Sequence, residues 1–199
     1  MKVGVLALQG DVPEHLAAVA AAAAPSPVIP VRRPEELAEV DALCLPGGES
    51  TTIARLLAEG GLWRPLADRL ADGLPVLATC AGFILLARTL EPGPSGRDPP
   101  TFGRVDVTLR RNDYGSQRDS CEAAVRVEGI DGGPFPGVFI RAPRVLAVGP
   151  GARPIAWRGG EVVGVREGNV WGLTFHPELS GDPRVHRRFL AEVAGSPRR

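Results

Sequence analysis

Residues 74–83 read L-P-V-L-A-T-C-A-G-F. A strand-like apolar run stops at Thr79, Cys80 follows, and the small residues Ala81 and Gly82 open a run of helical character. A nucleophile on such a sharp strand-to-helix turn stands at the carboxyl edge of a sheet. The helix N-terminus beneath it offers unpaired N–H groups and a positive dipole end, which favour a thiolate. Cys80 is therefore a candidate nucleophile on an A-x-C-x-G elbow. Taken alone, the segment fits a buried core thiol equally well. A second segment, T-F-H-P-E, ends a strand-like run near the C-terminus. His176 and Glu178 are two residues apart, so an extended backbone would put both side chains on one face. A thiol nucleophile needs a histidine to take its proton, and the histidine needs a carboxylate to fix its tautomer. H-P-E by itself is weak evidence. With the Cys80 elbow it becomes a nucleophile, base and orienter whose strand ends one sheet can bring together.

A third segment, L-P-G-G-E-S-T-T at 45–52, also follows a strand and opens a helix. Gly47 and Gly48 let backbone approach a ligand closely. Their N–H groups, with that of Ala81, could hold an oxyanion. Glu49 could bind an ammonium group, and Ser50 could simply cap the helix that follows. The loop lacks the G-x-x-x-x-G-K-[ST] phosphate pattern. His15 and His186 fall in helical segments and read as surface or structurally satisfied residues. Cys44 lies mid-strand and Cys121 beside Ser120 and Glu122, and both read as unreactive. Three cysteines with no C-x-x-C pair, and three scattered histidines, point to neither a disulfide framework nor a metal site.

The elements that must carry these residues follow from the pattern. Strand-like runs at 2–8, 28–31, 41–45 and 75–79 alternate with helical ones at 14–24, 34–40, 50–59, 63–71 and 81–90. This β-α rhythm predicts a parallel sheet with helices on both faces. Residues 91–101, E-P-G-P-S-G-R-D-P-P-T, are a loop. Beyond it, short runs at 103–110, 122–127, 138–140, 145–148, 155–158, 161–166 and 170–174 have an antiparallel look, and a Gly159-Gly160 turn joins two of them. Residues 183–194 close the chain as a helix. The expected fold is α/β: one three-layer α/β/α domain over residues 1–196, with a mostly parallel central sheet and an antiparallel extension, then a flexible tail at 197–199.

The chain has 199 residues, 44% of them hydrophobic, enough for a sizeable core. Lys plus Arg and Asp plus Glu both total 23, so the formal net charge is zero. That balance argues against a general electrostatic grip on nucleic acid or an anionic membrane. The basic cluster Arg184, Arg187 and Arg188 reads as a solvated helix face. No apolar run reaches the roughly 18–20 residues of a membrane span. Residues 1–8 lead into Gln9-Gly10-Asp11 rather than a small-residue cleavage site. A cytoplasmic location is the expectation.

Together, P-G-G-E-S-T-T at 46–52, T-C-A-G at 79–82 and H-P-E at 176–178 resemble the class I, triad-type glutamine amidotransferases, whose fold is flavodoxin-like. L-Q-G-D at 8–11, R-N-D-Y-G at 111–115, D-S at 119–120, G-V-F-I-R-A-P at 137–143 and F-H-P-E-L at 175–179 narrow the resemblance. They are similar to the glutaminase subunits of pyridoxal 5′-phosphate synthases, over nearly the whole chain. The resemblance implies hydrolysis of L-glutamine to glutamate and ammonia through a glutamyl thioester. It implies Cys80 as nucleophile, His176 as base and acid, and Glu178 as orienter. Gly47, Gly48, Glu49, Arg111, Ile140 and Arg141 would bind glutamine, and the N–H groups of Ala81 and Gly48 would form the oxyanion hole. Arginine suits an α-carboxylate. No cofactor and no metal is implied. The implied partner is a (β/α)₈ synthase subunit that joins ammonia to ribose 5-phosphate and glyceraldehyde 3-phosphate. Two departures stand out: many relatives carry glycine at the position of Ala78, and the 91–101 loop is unusually long and proline-rich.

Overall fold

The computed structural model describes residues 1–93, 96, 98–111 and 120–195. Most of R-N-D-Y-G beyond Arg111, Asp119, parts of the 91–101 loop and the 197–199 tail lie outside the described residues. The elements run β1 (Val3–Leu6), α1 (Val12–Ala23), β2 (Val28–Val31), α2 (Pro34–Ala38), β3 (Ala42–Leu45), α3 (Ser50–Glu59), α4 (Trp63–Ala71), β4 (Val76–Thr79) and α5 (Ala81–Leu86). Then come β5 (Ala87–Leu90), β6 (Val105–Arg110), β7 (Cys121–Val127), β8 (Phe135–Phe139), β9 (Arg144–Val148), β10 (Arg153–Arg158), β11 (Glu161–Glu167), β12 (Val170–Leu173) and α6 (Arg184–Gly195).

Among the described residues the main sheet has the strand order β2-β1-β3-β4-β12-β11-β10-β7-β8. The first five strands pair in parallel, and from β12 onward each pairing is antiparallel. The parallel half thus has the order of a flavodoxin-like doubly wound sheet. Its strands β1, β3, β4 and β12 are buried on both faces, β2 is a half-buried edge, and alternate residues feed two separate cores. Val3, Val5, Ala42, Cys44 and Leu77 pack with Val19, Val185 and Phe189 under α1 and α6. Leu6, Leu43, Leu45, Val76 and Ala78 pack with Ile53, Leu57, Leu66 and Phe83 under α2 to α5. The result is the expected three-layer α/β domain.

Two expectations need correction. Residues 81–90 are not one helix: α5 ends at Leu86, and Ala87 turns to extended backbone (φ −61°, ψ 144°). The rest becomes β5, because Ala87, Thr89 and Leu90 pair with β6. The antiparallel part is also not one extension. β5, β6 and β9 form a separate three-stranded sheet, in which β5 and β6 are parallel. Its inward residues, among them Val105, Val107 and Leu109, join the core beneath α5. The basic face of α6 is only partly solvated: Arg184 pairs with Asp182 and donates to the carbonyls of Asp131, Gly133 and Pro134.

Candidate active site

The carboxyl ends of β1, β3, β4 and β12 converge, which is where open α/β sheets bind ligands. Cys80 follows β4 with φ 45° and ψ −104°, a left-handed backbone that costs a non-glycine residue about 1–3 kcal/mol. The surroundings impose it. The Cys80 N–H donates to the Leu173 carbonyl at 2.9 Å, its own carbonyl accepts from Ile84 at 3.1 Å, and the Gly82 N–H donates to Pro46 at 3.2 Å. Gly82 has to be glycine: a Cβ there would lie 2.3 Å from the Leu45 carbonyl oxygen. Ala81 opens α5, so its N–H is one of the helix's free first-turn donors. Ala78 is fully buried and paired between β3 and β12, so its methyl faces the core and not the site.

His176 lies past the end of β12, bridged to β8 by a 2.8 Å bond from its N–H to the Val138 carbonyl. Its contact with Glu178 does not come from extended alternation, as the two-residue spacing suggested. Residues Pro177–Leu179 form a 3-10 turn that folds Glu178 back under the imidazole. Nδ1 of His176 then meets Glu178 Oε1 at 2.8 Å. A second carboxylate, Asp11, reaches the same nitrogen at 3.1 Å. Two acceptors at Nδ1 require the proton there, which leaves Nε2 as the basic nitrogen. Nε2 is buried and has no hydrogen-bond partner among the described residues. Burial alone would lower the His176 pKa, but Asp11, Cys80 and Glu178 beside it outweigh that and raise it. The Cys80 thiol donates to the Ile140 carbonyl at 3.9 Å.

Asp11, His176 and Glu178 bring ligand-capable atoms within 4.8 Å of one another. The Nδ1 proton is shared by Glu178 Oε1 and Asp11 Oδ2.

The glycine loop after β3 is clamped by the loop after β1. Gly47 O accepts from the Asp11 N–H at 3.2 Å, and the Glu49 N–H donates to Gln9 Oε1 at 2.8 Å. A Cβ on Gly47 would strike His176 Cε1 at 2.3 Å, and one on Gly10 would sit 1.7 Å from Gly47 O. Glycine at 10 and 47 is what lets these loops close on the base. Glu49 pairs loosely with Arg111 at 3.4 Å and with Arg141 at 3.6 Å. Arg111 also pairs with Asp98 at 3.1 Å, so the 91–101 loop reaches back to the site. Arg141 takes a positive φ of 44°, which turns its side chain out of β8's line. Cys80, His176, Gly48, Glu49, Arg111, Ile140 and Arg141 line one cleft of about 230 Å³. That is below the roughly 300–1,000 Å³ of drug-sized sites and suits an amino acid. One acid flanked by two arginines can read both charges of a zwitterion.

The sequence reading quoted Gln9 and Asp11 only within L-Q-G-D and gave them no role, although both line this cleft, and it left two histidines as surface or structurally satisfied residues. His15 is neither exposed nor remote: it is fully buried, with Nε2 3.0 Å from Thr79 Oγ1 and 3.3 Å from Glu178 Oε2. His186 is buried, and among the described residues neither ring nitrogen has a hydrogen-bond partner. Burial holds its pKa at about 4, with repulsion from His15 adding to the effect and attraction to Glu178 opposing it. Cys44 is inert, its thiol pushed up to about 12 by burial and by the nearby Glu178 charge.

A doubly wound sheet with a thiol on a strained elbow beside a carboxylate-held imidazole defines a class: cysteine-dependent α/β hydrolases and transferases acting on acyl groups. The comparisons narrow it. Residues 5–195 match the model of the SNO glutamine amidotransferase family. The chain is 56% identical over 191 residues to pyridoxal 5′-phosphate synthase subunit PdxT of Streptomyces coelicolor, covering 96% of this chain and 93% of that relative. It is 47% identical over 198 residues to the PdxT subunit of Thermococcus onnurineus, covering 97% and 99%. A crystal structure of a glutamine amidotransferase superposes with a TM-score of 0.86 at 42% identity, covering 98% of this chain and 99% of that one. The structure of PurLQS from Thermotoga maritima shares the fold, with a TM-score of 0.63 at 15% identity over 98% of this chain and 97% of that one. This chain belongs to the SNO glutamine amidotransferase family.

Proposed function

We infer that the protein is the glutaminase subunit of a pyridoxal 5′-phosphate synthase, hydrolysing L-glutamine and passing ammonia to a synthase subunit. The observation that carries the site assignment is the 2.8 Å contact from His176 Nδ1 to Glu178, which leaves Nε2 free to serve the thiol of Cys80. The thiol gives its proton to His176 Nε2, and the sulfur attacks the side-chain amide carbon of glutamine. The N–H groups of Ala81 and Gly48 receive the negative charge that develops on the amide oxygen. The imidazolium returns its proton to the amide nitrogen, the C–N bond breaks, and ammonia departs. Water, deprotonated by His176, then cleaves the glutamyl thioester and restores the thiol. Arg111 and Arg141 pair with the substrate α-carboxylate and Glu49 with its ammonium, while the Ile140 carbonyl borders the nucleophile. No step calls for a metal or an organic cofactor. In this reading, docking of the synthase subunit orders the Gly47-Gly48 peptide, so glutamine is not consumed by the unpartnered chain.

The test is ammonia release from glutamine, with and without the synthase subunit, for wild type and Cys80→Ala. Activity that rises with the synthase subunit and is absent from the variant supports the reading. Full activity that ignores the synthase subunit would instead mark a free-standing hydrolase.

A further inference from the structure

A buried carboxylate has two oxygens to satisfy, and the triad uses one. Glu178 Oε1 serves His176. Oε2 lies 3.3 Å from His15 Nε2, an ion-pair contact outside hydrogen-bond geometry and the only partner Oε2 has among the described residues, and both side chains are completely shielded from water. The same nitrogen is 3.0 Å from the hydroxyl of Thr79, the residue before the nucleophile. One ring nitrogen on α1 therefore reaches both the support of the base and the root of the elbow.

Geometry fixes where the ring's hydrogen sits. A bare lone pair on Nε2 would face a carboxylate oxygen, so Nε2 carries the hydrogen. We propose that His15 is a positioning residue for the triad: its Nε2–H, bonded to the Thr79 hydroxyl behind Cys80, also stands at ion-pair distance from Glu178 Oε2 and attracts it, so that Oε1 stays turned to His176. The proposal rests on the Cys80, His176 and Glu178 reading.

Three observations support it. Burial would push the Glu178 carboxyl up, yet attraction and hydrogen bonding from His15, then from His176, hold it well below the usual carboxylate range. The His15 side chain arrives from α1, which packs against the 177–179 turn and β1, so its position is set by the fold. The ring of His186, on α6, stands edge-on to His15 with centroids 5.7 Å apart and closes that side with a buried neighbour. A filler of the core would not need a ring nitrogen aimed at the carboxylate, because leucine would pack there without a polar group to satisfy.

The test uses the complex with the synthase subunit and L-glutamine, comparing His15→Leu with His15→Gln. The glutamine amide can present an N–H where Nε2 stands. Around Glu178 the titratable groups are His176 on its own turn, His15 from α1, His186 from α6, Cys44 from β3, and Asp11 across His176. Without the Nε2–H, Glu178 takes up a proton more readily. His15→Leu is expected to lower kcat about tenfold or more with KM within about twofold, and to move the acid limb of the kcat profile to higher pH. His15→Gln is expected to recover most of the rate and to return the limb. The proposal is overturned if both variants keep the wild-type kcat and profile, or lose rate equally and in step with their melting temperatures. Should His15→Leu not fold, His15→Asn, whose amide stops short of Oε2, replaces it in the same comparison. Cys80→Ala measured alongside separates the two readings. If it stays active, the triad assignment fails. If it is dead while His15→Leu is unaffected, only the role of His15 falls.

Discussion

At the scale of the residue, the site is a set of side chains held where they would not go alone. Cys80 has a left-handed backbone at a cost of about 1–3 kcal/mol. Glycine would adopt that conformation freely, but its extra freedom in the unfolded chain costs about 0.5–1 kcal/mol. The strain is the larger quantity. Cys80→Gly is therefore expected to be at least as stable as Cys80→Ala, with both inactive, although glycine normally destabilises. Thermal melts of the two variants side by side check this, and a Cys80→Gly clearly below Cys80→Ala would mean the elbow carries no strain. The same restraint governs the base. His176 has one Nδ1 proton and two carboxylates to receive it, and the buried Glu178 is the closer. The imidazole cannot turn without exposing a buried charge, which fixes Nε2 as its working nitrogen.

At the scale of the element, the elbow works because β4 and α5 pack with nothing between them and β3. The Gly82 position tests this. A methyl there would overlap the Leu45 carbonyl and part the 3.2 Å bond from Gly82 to Pro46. Gly82→Ala is expected to cost about 2–4 kcal/mol, read as a melting point lower by several degrees, and to disable turnover. A variant with wild-type stability would show that the backbone there can yield. These contacts also explain what the sequence could and could not reveal. The bounds of α3 and α4 were legible because their apolar residues recur with helical spacing and Gly60 and Asp72 end them. The elbow was legible because Cys80 interrupts an apolar strand beside two small residues. β5 was not, since 81–90 is apolar through the junction and a buried helix and a buried strand then look alike. Only pairing with β6 separates them. The roles of His15 and Asp11 were hidden for another reason: L-Q-G-D marks Asp11 without giving it a task, and nothing local marks a histidine in the first turns of an ordinary helix. The available signal was topological, since the loop after β1 of a doubly wound sheet borders its ligand crevice.

At the scale of the whole molecule, the buried histidines and Glu178 make stability depend on pH, with opposite signs on the two sides of neutrality. Asp11, Cys80 and Glu178 raise the pKa of His176 against the opposing effect of burial, so the folded chain binds that proton more tightly than the unfolded one. Its contribution is complete below 6.5 and is lost as pH rises above that value. His186 behaves in the reverse sense. Burial lowers it from 6.5 to about 4, so between those values the unfolded chain binds a proton that the native chain does not. Stability must then fall as pH drops through that window. Glu178, held low by His15 and His176 although burial opposes them, adds a further loss below about 4.5. Above about 4.5 the acid limb can be assigned to one ring, His186. The shift of His186 corresponds to a loss on the order of 3 kcal/mol across its window. His186→Leu removes the titration together with two buried nitrogens that have no hydrogen-bond partner among the described residues. The variant is expected to match or exceed the wild-type melting temperature at pH 7 and to lose far less of it by pH 4.5. Parallel declines in the two proteins would place the acid sensitivity elsewhere, with the carboxylates that pair across the surface as its source.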